Sequence, residues 1–75
     1  MDRYFVNQRS NTAVTIGGVR KLQEFTPEQI VTAVNGAVVT VTGVKLKIAR
    51  FDENEIEITG KIENVETVLS RKRSL

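Results

Sequence analysis

Residues 30–41 read IVTAVNGAVVTV, and this stretch constrains the chain more than any other. Asn-Gly between two apolar, β-branched runs is the strongest short-range hairpin signal. A two-residue type I′ loop needs φ > 0 at both central positions, which Asn and Gly tolerate. Such a loop also sets the register. Val34 then faces Ala37, Thr32 faces Val39 and Ile30 faces Val41, while Val31–Thr40 and Ala33–Val38 share the other face. Both faces are substantially apolar, whereas a strand buried on one side alternates more cleanly. The hairpin is therefore expected at the centre of the fold, or on a surface covered by another subunit. Ile30, Val31, Val39 and Val41 are the candidate core or interface residues. A helix over 27–34, which Thr26 and Gln29 could cap, is the rival reading. It yields to the hairpin because the apolar run leads straight into Asn35-Gly36.

The rest of the chain follows the same pattern. Val, Ile and Thr supply 25 of its 75 residues, and stiff β-branched side chains fit a pleated surface. Residues 12–16 alternate, and residues 19–25 read as a strand. Lys45–Ala49 and Glu55–Thr59 alternate strictly, with Leu46, Ile48, Ile56 and Ile58 facing inward and Lys45 and Lys47 set against Glu55 and Glu57. Bends are expected at Gly17-Gly18, Pro27, Asn35-Gly36, Gly43, Asp52-Glu53-Asn54 and Gly60. The fold expected is all-β: a small sandwich or partly open barrel of six to seven short, mostly antiparallel strands. Residues 1–11 read as an N-terminal arm, 12–68 as a single β domain and 69–75 as a basic C-terminal tail. Within the arm, Tyr4, Phe5 and Val6 are expected to pack on the domain or on a neighbour.

The composition excludes much chemistry. There is no Cys and no His, which removes disulfides, thiol nucleophiles, Cys-based zinc sites, imidazole bases and Ser-His-Asp triads. Asp52-Glu53-Asn54-Glu55 lacks the ordered ligands of a calcium loop and reads as a solvated turn. Glu55 and Glu57 share an exposed strand face, without the burial that would make one of them an acid catalyst. Gly17-Gly18 is not followed by the Lys-Ser or Lys-Thr of a phosphate loop. No enzyme, cofactor or metal site is expected. No apolar run approaches the roughly 20 residues that span a bilayer. The start MDRYFVNQRSNTAV lacks the apolar core of a signal peptide, so a cytoplasmic location is expected.

Charge is unevenly spread. Residues 51–68 hold six acids against Lys61, a net of −5, and the remainder holds ten bases against three acids, a net of +7. Arg20, Lys21, Arg71, Lys72 and Arg73 are the candidate contacts for nucleic acid or another anionic surface. A chain this short buries only about 60% of the surface its unfolded form exposes. Without the usual staples, self-association and a carboxylate metal site are the remaining routes to extra stability. A homo-oligomer is expected.

Several segments carry a family resemblance: Val14-Thr15-Ile16-Gly17-Gly18-Val19, Leu22-Gln23-Glu24-Phe25, Thr32-Ala33-Val34-Asn35-Gly36, Val39-Thr40-Val41-Thr42-Gly43, Leu46-Lys47-Ile48 and Glu57-Ile58-Thr59-Gly60-Lys61-Ile62. In rhythm and Gly placement this run resembles the YabP/YqfC family of small sporulation proteins. The Gly36-to-Gly43 step and the turn before Glu55 depart from the family's usual spacing. The resemblance implies a role in endospore formation, in the mother cell around the forespore, through contacts with itself or with another sporulation protein. It offers no catalytic residues to carry over.

Overall fold

The computed structural model describes residues 4–69, and these form six strands and no helix. They are β1 (Phe5–Ser10), β2 (Ala13–Gly17), β3 (Val19–Phe25), β4 (Gln29–Val34), β5 (Ala37–Asp52) and β6 (Glu55–Leu69). All neighbours are antiparallel, in one open sheet of order β1-β2-β6-β5-β4-β3.

The hairpin has the expected register, with Val34 opposite Ala37, Thr32 opposite Val39 and Ile30 opposite Val41. Its turn differs from the expected type I′. Gly36 has φ +82°, but among the described residues only Lys45 and Glu53 have positive φ without being glycine, so Asn35 does not. Positive φ at the second central residue alone is the type II pattern. Asn35 is held by a tertiary bond, since its N–H donates to Gly18 O at 3.1 Å.

Two strands are far longer than expected. Gly43 and Gly60 do not end strands; β5 and β6 run through them for 16 and 15 residues. A straight strand of 16 residues would measure about 53 Å, beyond the molecule's longest extent of 39 Å. The strands bend instead, and irregularities fall at Thr42/Gly43 and between Val44 and Lys47. A bulge inserts a residue and bends the strand while pairing resumes beyond it. Lys45 carries the left-handed backbone there, at φ 55°. The two glycines make the crossing close. A Cβ on Gly43 would collide with Lys61 O, and one on Gly60, at φ +126°, would lie 2.5 Å from Lys45 O.

The bend divides the sheet into two half-sheets that share β5 and β6. The arm half-sheet consists of β1, β2, the start of β6 and the end of β5. The hairpin half-sheet consists of β3, β4, the start of β5 and the end of β6. Their concave faces meet in one core. Val14, Ile16, Ile56 and Ile58 come from the first, Ile30, Val39 and Val41 from the second, and all seven are fully enclosed. Thr32 is the buried polar residue among them, and its hydroxyl donates to Val39 O at 3.3 Å. Further ties join the halves. Val19 N–H donates to Asn54 O at 2.9 Å, Asn54 Nδ2 donates to Val19 O at 3.1 Å, and Leu46 N–H donates to Pro27 O at 2.7 Å.

The segment read as an arm supplies an edge strand. Tyr4 and Val6 pack against the core, and the Phe5 ring covers Gly17.

Candidate interaction surfaces

The candidate residues of the hairpin separate by face. Ile30, Val39 and Val41 are 0% exposed and belong to the core of the chain itself. Val31 points the other way and is half-buried on the convex face. Around it the ladder builds a field with one uncharged row and one row that ends on a glutamate. One row runs Ala33–Val38–Val68, and the next runs Val31–Thr40–Glu66. Val68 is 56% exposed. Lys21 and Glu24 of β3, opposite Ala33 and Val31, mark the rim. No search by residue type singles out Val38, Ala33 or Val68; the signal was the second apolar face of the hairpin.

The convex face of the arm half-sheet is different. Its central row is Asn7–Thr15–Glu57–Arg50. Arg9 approaches Glu57 at 3.7 Å, and Arg50 approaches Glu55 at 3.8 Å and Glu57 at 4.0 Å. Lys45 and Lys47 were expected in these pairs, but Lys47 stands opposite Thr59. Irregularities between Val44 and Lys47 and between Ile48 and Arg50 shift the register, so Arg50 takes the glutamates.

The remaining candidates do not converge. Arg20 and Lys21 are exposed neighbours on β3, with Gln23 and Glu24 further along the same strand. Arg71, Lys72 and Arg73 lie outside the described residues. The acidic turn at Asp52–Glu55 gathers no metal-binding cluster, and none occurs elsewhere among the described residues. No helix of the described residues is long and apolar enough to cross a membrane.

Strand edges are the other exposed resource, because a free edge presents unpaired N–H and C=O groups. The bend creates local edges besides β1 and β3. Beyond the bend, β6 pairs with β5 alone among the described residues. Its last bonds on the β2 side are Gly60 N–H to Thr12 O at 3.3 Å and Ile62 N–H to Asn11 O at 2.7 Å.

An all-β sheet with a polar convex half, an apolar convex half and no reactive cluster is the arrangement to set beside known families. A family model described as the YabP family matches residues 5–74, all but the ends of the chain. The chain belongs to the YabP family. No curated protein matches it. YabP proteins are small sporulation proteins not known as enzymes. The YabP match takes in β1 as well as β2–β6, so residues 5–11 of the segment read as an arm lie within the matched region.

Proposed function

We propose that this YabP-family chain is a non-enzymatic, sporulation-associated β domain that works as a self-assembling structural module. By the family's association, it would act in the mother cell around the forespore. One observation carries the reading. The convex face of the hairpin half-sheet sets Val31, Ala33, Val38 and Val68 together without an intervening charge in the Ala33–Val38–Val68 row. A small domain has few apolar side chains to spare, and an outward apolar field gains stability when another subunit covers it. Absolute mass across a concentration series tests this. Growth beyond 8.4 kDa is expected, and a strict monomer at every concentration contradicts it.

The alternative, contact with nucleic acid or an anionic surface, draws support from the exposure of Arg20 and Lys21 on β3. It predicts polyanion binding that weakens steeply with salt and is lost on removing residues 70–75. The presence of Glu24 on the same strand makes it the lesser reading.

A further inference from the structure

The geometry points to the far end of β6, Val65–Leu69, as the strand that pairs with the same strand of a second copy, antiparallel and about a two-fold axis near Val68. This inference rests on the self-assembly reading and adds to its convex face a strand edge through which two copies join.

Backbone direction comes first. In a two-residue hairpin the flanking pair, here Val34 and Ala37, exchanges both hydrogen bonds. The next N–H, that of Asn35, points the opposite way, to Gly18 O. Alternation along β5 then turns Val38 and Thr40 toward β6, where their partners are Val68 and Glu66. Val65, Thr67 and Leu69 therefore direct their N–H and C=O groups away from β5, to the open side. The near end of β6 agrees. There Gly60 and Ile62 donate to Thr12 and Asn11 on that same side, and the shift between Thr42/Gly43 and Asn64/Ile62 changes which residues point outward.

This edge is the least defended one. β1 and β3 expose Phe5 and Phe25, but β1 carries Arg9 and breaks register between Gln8 and Ser10, and β3 carries Arg20, Lys21 and Glu24 and breaks register twice. The start of β3 is also closed by Asn54. The end of β5 carries Lys47, Arg50 and Asp52. Charged and irregular edges resist pairing. β6 instead ends on Val65-Glu66-Thr67-Val68-Leu69, where Glu66 directs its backbone to β5 and Val68 and Leu69 are 56% and 63% exposed.

Charge chooses the occupant and its direction. In the sequence Glu63 and Glu66 precede Thr67-Val68-Leu69, and Arg71-Lys72-Arg73 follow it. In an antiparallel pair the bases of one copy run toward the acids of the other. A parallel pair would set acid beside acid and base beside base, which is unfavourable. A two-fold at Val68 also joins the Ala33–Val38–Val68 row to its counterpart, giving one apolar stripe across both molecules.

The test is absolute mass against concentration, by light scattering, for four forms of the full chain. Wild type should approach twice 8.4 kDa. Thr67→Pro removes an outward N–H without touching a β5 bond, and should stay monomeric to concentrations at least about tenfold higher. A strand circular-dichroism spectrum like that of wild type checks its fold. Two charge-reversed chains remove dependence on that variant. Glu63→Lys with Glu66→Lys should not self-associate, nor should Arg71→Glu with Lys72→Glu and Arg73→Glu. Mixed, they should form a heterodimer that salt weakens. A wild type that assembles while Thr67→Pro and both reversed chains assemble equally well overturns the edge and leaves self-assembly standing. A wild type that stays monomeric throughout overturns both.

Discussion

The two half-sheets are built from the same pair of strands, yet they present opposite outer faces. In the arm half-sheet, β5 and β6 turn Arg50 and Glu57 outward, and β1 and β2 add Asn7 and Thr15. In the hairpin half-sheet the same strands turn Val38 and Val68 outward, and β4 adds Val31 and Ala33. Among the described residues their buried side chains are alike, all aliphatic except Thr32, because they close on one core. Division of labour in this small domain is thus written on the convex side alone. One half is charged and solvated, and the other is the apolar face on which the proposed self-assembly rests. The bend at Gly43 and Gly60 makes this possible, since one long hairpin can serve two environments.

The largest effect expected is at the bend. Gly60→Val would place a β-branched side chain at φ +126° and against Lys45 O. Backbone strain of about 1–3 kcal/mol adds to that collision. A domain of this size holds only roughly 4–11 kcal/mol in total. The chain should be largely unfolded by circular dichroism, and a folded Gly60→Val protein would show that the halves tolerate another joint.

Next come the two cores. Ile58→Ala in the arm half-sheet should cost about 2–5 kcal/mol, and Val39→Ala in the hairpin half-sheet somewhat less. Because both residues sit in one cluster, urea unfolding should remain a single transition in each variant. Separate melting of one half would break the idea of a shared core.

The convex faces sharpen the contrast further. Val38→Glu, set between Ala33 and Val68, should change monomer stability by only about 1 kcal/mol. It should nevertheless weaken assembly by roughly tenfold or more, read as a shift in the concentration dependence of mass. The smallest effect belongs to the polar half. Arg50→Ala removes contacts to Glu55 and Glu57 that are long and partly exposed, so the loss should stay within about 1 kcal/mol and shrink in salt. Assembly should be unchanged by it.

The contrast also marks what a sequence reader can see. The β4–β5 register was legible because a two-residue turn sets it locally, and the inner positions Leu46, Ile48, Ile56 and Ile58 were legible from strict alternation. Gly43 and Gly60 read as breaks because glycine marks both ends and bulges, and only the close approach of β5 to β6 shows which applies. The same bulges moved the glutamates from the lysines to Arg50. β1 was illegible as a strand because an edge strand buries little, and its polar residues leave no alternation to follow. Of the four hairpin candidates, three lie in the core and Val31 on the convex face; only the fold assigns each side.

Amide hydrogen exchange, read residue by residue at low and high protein concentration, tests the central claim most directly. The outward N–H groups of Val65, Thr67 and Leu69 should exchange freely when dilute and become protected as the chain associates, while those of Glu66 and Val68 stay protected throughout. Unchanged exchange at Val65, Thr67 and Leu69 in the associated protein would contradict the account.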